Sequence, residues 1–214
     1  MAGDSNPYEH IYDARAFALE GDLHLPVRAA IQPQAFVDLP AAGGYLSQHA
    51  CAYRLEGIVS FRAAYTQVAG NPDRKPGHGY VTLATAVLEG FNILDVVTAD
   101  RVVAQVSTEH PRKGSIPDIT FLGTRFENLR IAGHPVRIDL DLDFFGAKPA
   151  NDEPWSRKAD FRERVNAQRD TIGRQANLPA EIAERYNQLP SNPGPQGSLE
   201  CSLVHRADGS YPGR

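Results

Sequence analysis

The chain has 214 residues, a hydrophobic content of 42%, a charged content of 22% and a formal net charge of −4 at pH 7. Its length allows one large domain or two small ones with a sizeable core, and its composition is that of an ordinary soluble globular protein. The mild negative charge gives no support for nucleic acid or an anionic membrane as a partner, and no apolar run approaches the roughly 20 residues of a membrane span.

The first quarter of the chain predicts turns with short strands between them. Pro and Gly are frequent, at 16 and 18 residues, which suits short strands better than long helices. Segments 23–25 and 35–37 could each supply a short strand. Segment 52–62 predicts a clearer strand, broken at Gly57, because four apolar side chains share one face. These are Tyr53, Leu55, Val59 and Phe61.

A polar loop follows over 70–79, and strand patterns then alternate with breaks. Segment 80–88, rich in Thr and Ala, predicts one strand. Segments 91–98 and 101–108 predict two more, joined by a turn at 99–100, because apolar residues alternate with polar ones on each side of that dipeptide.

Segments 119–131 and 136–145 predict the best hairpin of the chain, with its turn at 132–135. In the second strand apolar and acidic residues alternate without a fault, as in a strand with one buried face. The apolar face carries Ile138, Leu140, Leu142 and Phe144, and the acidic face carries Asp139, Asp141 and Asp143. The expected register sets Ile131 opposite Val136, and therefore Arg130 opposite Arg137.

Part of this region has a recognisable shape. Thr98-Ala99-Asp100 begins a strand, and a later hairpin reads Leu129-Arg130-Ile131-Ala132-Gly133-His134-Pro135-Val136. Over about 80–145 the chain resembles the β repeats of bacterial surface proteins of the choice-of-anchor kind. The resemblance implies a β fold without enzymatic activity and brings no functional residues with it. The expected helical insertion departs from that pattern, as does the expected absence of a leader and an anchor.

The character of the sequence changes after Lys148. Acidic residues and an early Pro at 151–155 predict the start of a helix, and 156–175 carries a thin apolar stripe. The stripe consists of Phe161, Val165 and Ile172. A second helical piece is expected after Pro179. The only tryptophan, Trp155, is expected to pack this helix onto the sheet.

The predicted fold is mainly β, either an antiparallel two-layer sandwich or a flattened barrel. We expect one β domain over 1–214, with a helical insertion near 154–189 inside an insertion and linker of 151–195. A last strand within 198–204 is expected at a sheet edge, paired with another subunit or covered by an earlier strand. The protein is therefore expected to form a homo-oligomer, of which a dimer is the simplest closed form.

Catalytic candidates are few. The seven histidines show no metal-ligand spacing, and neither a nucleophile elbow nor a phosphate-binding loop is present. His78 and His110 lie in predicted loops, where functional residues are common. Glu109-His110 together with Asp95 or Asp100 could form an acid–base group, and His78 is a further candidate if it meets them in space.

The three aspartates of the alternating strand are the candidate metal ligands. Carboxylates suit Ca²⁺, but residues two apart on a strand lie about 7 Å apart, too far for one ion to bridge all three. A solvated face balanced by arginines is the better interpretation, so we predict neither a metal nor a cofactor. The two cysteines, Cys51 and Cys201, are interpreted as small buried side chains, with a disulfide as the alternative.

The leading functional hypothesis is a non-catalytic structural or binding β module that self-associates or binds a partner. One alternative is a small-molecule hydrolase or isomerase that uses loop His and Asp groups. The other is a calcium-dependent carbohydrate-binding module. The N-terminal sequence has no signal-peptide pattern, so a cytoplasmic location is expected if the chain is complete, and a secreted or cell-surface one otherwise.

Overall fold

The computed structural model describes residues 10–71, 79–111, 114–173 and 201–209, together with Ala180 and Glu184. These residues form a mainly β structure with one α-helix, α1 (Ala159–Gly173), and two 3₁₀ turns at Ala150–Asp152 and Trp155–Arg157. The first seven strands are β1 (Arg15–Ala16), β2 (Leu19–Leu23), β3 (Ala29–Gln34), β4 (Val37–Asp38), β5 (Gly44–Ala50), β6 (Tyr53–Leu55) and β7 (Val59–Phe61). The other eight are β8 (Ala63–Asn71), β9 (Tyr80–Ile93), β10 (Val97–His110), β11 (Asp118–Phe121), β12 (Arg125–Glu127), β13 (Arg130–Ile131), β14 (His134–Leu140) and β15 (Val204–Gly209).

Eleven of these strands form one antiparallel sheet. Its main path runs β15-β14-β13-β10-β9-β7-β6, while β8 pairs with β9 and β5, and β11 and β12 pair with β10. The path does not return on itself within the described ranges, so the sheet is open and the flattened-barrel alternative is wrong. Strands β1 and β4 form one small ribbon, and β2 and β3 form another.

The centre of the sheet is the long β9–β10 hairpin. Its turn lies between Ile93 and Val97, where Leu94 and Asp95 adopt positive φ of 53° and 54°. The Asn92 side chain closes this turn by accepting a hydrogen bond from the Asp95 backbone N–H at 2.8 Å. The turn predicted at 99–100 is therefore wrong. The chain already turns at Leu94 and Asp95, where the Asn92 side chain forms an Asx turn. Strand β10 then continues through residues 99 and 100 without a break.

The N-terminal segment forms a second layer on one face of this sheet. Tyr12 and Leu39 pack in one cluster with Val68 of β8, and Ile31 packs with Val59 of β7. Between these clusters, Ala35 contacts β7, β8 and β9, and its carbonyl accepts a hydrogen bond from the buried Thr66 hydroxyl. The two ribbons and the segments joining them thus bury the apolar side of β7, β8 and β9, which makes a two-layer core.

The predicted hairpin at 119–145 exists with a different register. Its turn uses only Ala132 and Gly133, both with positive φ, so Ile131 lies opposite His134. A two-residue turn of this kind matches the twist of the flanking strands. Arg130 therefore lies opposite Pro135 and not opposite Arg137.

Strand β14 also ends earlier than its alternating pattern predicts. The chain turns after Leu140, and the Asp141 carboxylate accepts a hydrogen bond from the Asp143 N–H at 3.1 Å. Leu142 is 37% exposed, while Phe144 reaches a separate apolar cluster. The prediction that Asp139, Asp141 and Asp143 line one face of a strand is therefore wrong. The strand ends at Leu140, and the Asp141 side chain stabilises the turn that follows.

Helix α1 confirms the helix predicted within 156–175. Phe161 and Val165 are buried against Phe144, and Trp155 lies edge-on to Phe161 at 5.8 Å between ring centroids. Phe145 bridges this cluster to the sheet. The Ile172 side chain and most of the segment from Pro179 to the predicted linker lie outside the described residues.

The helix is also tied to the segment that precedes β15. The Gln168 side-chain amide donates to the Ser202 carbonyl at 2.7 Å and accepts from the Ser202 N–H at 2.8 Å.

Both cysteines are free and exposed, because Cys51 follows β5 and Cys201 precedes β15, so the prediction of buried cysteines is wrong. Within the described part of the chain, no helix has the length and apolar character required to traverse a bilayer.

Candidate functional site

The structure separates the predicted acid–base residues. Asp95 lies in the β9–β10 turn and His110 ends β10, so the length of a 14-residue strand, roughly 45 Å at the usual rise, lies between them. Asp100 is bound to the Asn128 side chain at 2.6 Å. His78 lies outside the described residues. Asp95, Asp100 and His110 therefore do not meet in one site.

His110 belongs instead to an aromatic cluster. The His10 ring stacks on Tyr80 at 4.2 Å, lies 5.1 Å from His110 and meets Tyr12 edge-on at 4.7 Å. Burial lowers the pKa of both imidazoles, and the pKa of His110 is lowered further by repulsion from His10 when that ring is protonated and by the nearby Lys148. At neutral pH this cluster therefore holds uncharged rings that pack the end of β10.

Backbone contacts hold this end of the hairpin as well. Gly79 passes so close to His110 that an added Cβ would lie 1.7 Å from the His110 carbonyl oxygen. Nearby, the Asp152 carboxylate accepts hydrogen bonds from the Ser115 and Ile116 N–H groups at 2.7 and 2.8 Å, which lowers its pKa. Such contacts are typical of a strand end that is held in place by packing.

A second candidate is the face of the sheet that lies away from the N-terminal layer, which we call the open face. On β8, Ala64, Thr66 and Val68 are buried beneath that layer. Because side chains alternate along a strand, Tyr65 and Gln67 lie on the opposite side. The register of β5, β8, β9 and β10 then places their partners on the same face.

A line of polar, uncharged side chains crosses the middle of the open face. Cross-strand pairing aligns Ser47, Gln67, Thr85 and Gln105. The Gln105 amide donates to the Thr85 hydroxyl at 3.0 Å, and the Gln105 N–H donates to the Thr124 hydroxyl at 3.0 Å. The bond to Thr85 orients the Gln105 side chain, and the bond to Thr124 ties the Gln105 backbone to the segment before β12.

Aromatic rings flank this polar line. The His49 and Tyr65 rings lie 4.7 Å apart on one side of it, and Tyr45 lies on the other. Tyr45 is 61% exposed and Tyr65 is 42% exposed. Sequence reasoning missed this face because β5 and most of β8 were not predicted, although the alternation of Tyr65 and Gln67 with smaller buried residues was the available signal.

A shallow groove of about 800 Å³ lies between β12 and the β14–β15 pair. Its lining includes Phe126, Val136, Ile138, Asp139 and Asp208. The groove carries little free charge, since Asp139 pairs with Arg137 at 3.3 Å and Asp208 pairs with Arg206 at 2.8 Å.

The structure assigns different surroundings to the three candidate metal ligands. Asp139 is in β14, whereas Asp141 and Asp143 belong to the turn that follows it. Within the described ranges, no group of three or more His, Cys, Asp or Glu side chains is arranged so that it could hold a metal ion.

The fold is thus a mainly β one, built on an open antiparallel sheet with an N-terminal covering layer. The chain belongs to the family described as a domain of unknown function, DUF8256, whose family model matches residues 10–214. No curated protein shows significant sequence similarity to the chain. No solved structure matches it significantly either.

Proposed function

We propose that the protein is a non-catalytic structural module that pairs with a second copy of itself through strand β5. The observation that carries this proposal is the state of β5, a seven-residue strand with all but its last residue exposed. Among the described strands only β8 pairs with β5, so alternate backbone N–H and C=O groups point away from the sheet. Such an edge is a template for another strand.

The composition of β5 suits a self-complementary interface. The strand contains neither Pro nor any Lys, Arg, Asp or Glu, residues that commonly protect sheet edges. In an antiparallel pair related by a two-fold axis at Ser47, Tyr45 would lie opposite His49 of the second copy. No like charges would then face each other across the new ladder.

The C-terminal strand, where the sequence predicted assembly, is a poorer candidate. Strand β15 does lie at the other end of the sheet, but Arg206 and Asp208 stand on it. Charged side chains disfavour the docking of a further strand at an edge. The resemblance of 80–145 to β repeats of surface proteins also favours a non-catalytic role, and the separation of His110 from Asp95 gives no support to the enzyme alternative.

The test is a charge-complementation experiment at Ser47. Directly opposed side chains of an antiparallel pair lie about 5 Å apart, so Ser47→Lys should make the full-length chain monomeric, and Ser47→Glu should do the same. An equimolar mixture of the two should form a heterodimer. Size-exclusion chromatography with light scattering at micromolar concentration gives the masses.

The matched control is Ala207→Lys on β15, which adds the same charge at the other edge and should leave the dimer intact. A monomeric wild-type protein would contradict the proposal. Dissociation by Ala207→Lys but not by Ser47→Lys would also contradict it, and would move assembly to the C-terminal strand.

A further inference from the structure

We infer that the open face of the sheet binds an uncharged oligosaccharide chain along the line of Ser47, Gln67, Thr85 and Gln105. The inference concerns a different surface from the β5 edge and does not depend on dimerisation. It rests on three properties of this face: its lack of charge, the spacing and rigidity of its polar groups, and the position of its aromatic rings.

The charge of the face selects the class of ligand. Three rows of side chains that run across β5, β8, β9 and β10 contain no Lys, Arg, Asp or Glu: the polar line itself, the row of His49, Tyr65, Val87 and Val103, and the row of Tyr45, Ala69, Leu83 and Ser107. Charged side chains lie at the margins: Glu89 and Arg101 at one end, Glu109 at the other, and Arg125 of β12 beside Val103, where it pairs with Glu127 at 2.7 Å. An acidic polysaccharide or a nucleic acid needs a row of basic side chains, and the centre of this face has none. A neutral sugar chain carries no charge that has to be paired.

The polar line offers the groups that sugar hydroxyls need. Amide and hydroxyl side chains both donate and accept hydrogen bonds, as sugar hydroxyls do. Neighbouring strands bring these groups about 4.8 Å apart, which is close to the length of one sugar unit. Because the Gln105 side-chain amide donates a hydrogen bond to the Thr85 hydroxyl, that amide is oriented before a ligand arrives.

The aromatic rings supply the apolar part of the site. The C–H faces of a pyranose pack on exposed aromatic rings, and tyrosine adds a hydroxyl at its edge. Tyr65, next to His49, and Tyr45 lie on the two sides of the polar line, so a sugar chain lying along that line could contact rings on both sides. A flat sheet face of this kind fits an extended chain better than a small compact molecule.

The experiment uses the full-length protein and defined glycans. Insoluble cellulose, chitin and starch, and soluble hexaoses of glucose, xylose and N-acetylglucosamine, serve as neutral probes. Alginate serves as the acidic probe. Pull-down measures retention on the solids, and amide NMR shifts measure binding of the soluble chains. We expect binding to at least one neutral probe and none to alginate.

Variants on the open face locate the site. Tyr65→Ala, at an exposed ring, should weaken binding by about tenfold or more, and Gln105→Leu should weaken it as well. The matched control is Phe36→Ala, which removes an equally exposed ring, 47% exposed, from the N-terminal layer. This variant should bind as the wild type does, and thermal melts should show that all variants are folded.

Three outcomes would overturn the inference. The first is retention of none of the neutral probes, and the second is binding to alginate alone. The third is neutral-glycan binding that Tyr65→Ala leaves unchanged. Concentration-dependent NMR shifts confined to the open face, without any glycan effect, would instead show that a second copy of the chain covers this face.

Discussion

Asp139 of β14 lies directly opposite Arg206 of β15, and in the same ladder Arg137 lies opposite Asp208. Each strand also carries its own ion pair, Arg137 with Asp139 and Arg206 with Asp208. The four side chains therefore alternate in sign around one patch. The acidic residue of the strand is balanced by an arginine from a segment more than sixty positions away in the chain.

This charge patch should contribute little to stability. All four side chains are substantially exposed, and exposed ion pairs are worth roughly 0.2–1 kcal/mol. We expect a double-mutant cycle of Asp139→Asn and Arg206→Gln to give a coupling energy in that range, falling as salt is added. Urea melts at low and high ionic strength measure it. A coupling well above this range, insensitive to salt, would show that the pair is shielded from solvent.

The core should depend on the sheet beneath the N-terminal layer. Leu88 is 6% exposed and packs in a cluster with Ala35 and Phe61, so Leu88→Ala should destabilise the protein by about 2–5 kcal/mol. The control is Leu142→Ala in the turn after β14, which should cost less than about 1 kcal/mol because that side chain is partly in water. Urea denaturation compares the two. Equal losses would contradict the assignment of the core to this layer.

Acidification should destabilise the His10–His110 cluster. Burial lowers the pKa of both imidazoles below their unfolded value of 6.5. Well above pH 6.5 both imidazoles are neutral in the folded and the unfolded chain, so the cluster makes no pH-dependent contribution there. As the pH falls below 6.5, the unfolded chain binds protons that the folded chain does not, so the free energy of unfolding decreases. We expect the midpoint temperature to fall between pH 7.5 and pH 5.5.

The double variant His10→Gln, His110→Gln should flatten that pH dependence. Lys148 lies near His110 and lowers the pKa of that imidazole further, in the same direction as burial. Hydrogen bonds from Ile116 and Ser115 lower the pKa of Asp152 below 3.8, so its contribution is lost at much lower pH. An unchanged slope in the double variant would show that other groups cause the effect.

The helix should loosen before the sheet does. It is held by Phe161 and Val165 in a small cluster and by the Gln168–Ser202 amide pair. Phe161→Ala should therefore shift Trp155 fluorescence to the red while the β circular dichroism signal remains. The control is Asp170→Asn on the exposed side of α1, which should leave the Trp155 emission unchanged. Simultaneous loss of both signals in Phe161→Ala would place the helix within the main cooperative core.

Local patterns in the sequence determined the class of structure. The alternation around Ile138 predicted a strand, and the stripe of Phe161 and Val165 predicted a helix, because both periods depend only on neighbouring residues. The turn predicted at Ala99-Asp100 was also inferred from neighbouring residues alone. The structure places the turn at Leu94 and Asp95, since the Asn92 side chain stabilises that position and strand pairing stabilises the continuous β10.

Tertiary structure decided which strands meet and which faces stay open. Strand β5 pairs with β8, and β14 pairs with β15, which begins more than sixty positions further along the chain. No local period encodes such partners. The register of β13 against β14 also depended on the length of one turn. The turn uses two residues, Ala132 and Gly133, where four were predicted, and this changes every cross-strand pair beyond it. The face around Tyr65 is open because the N-terminal layer packs only on the other side of the sheet. Which side it covers depends on the apolar area buried between residues that are distant in the sequence.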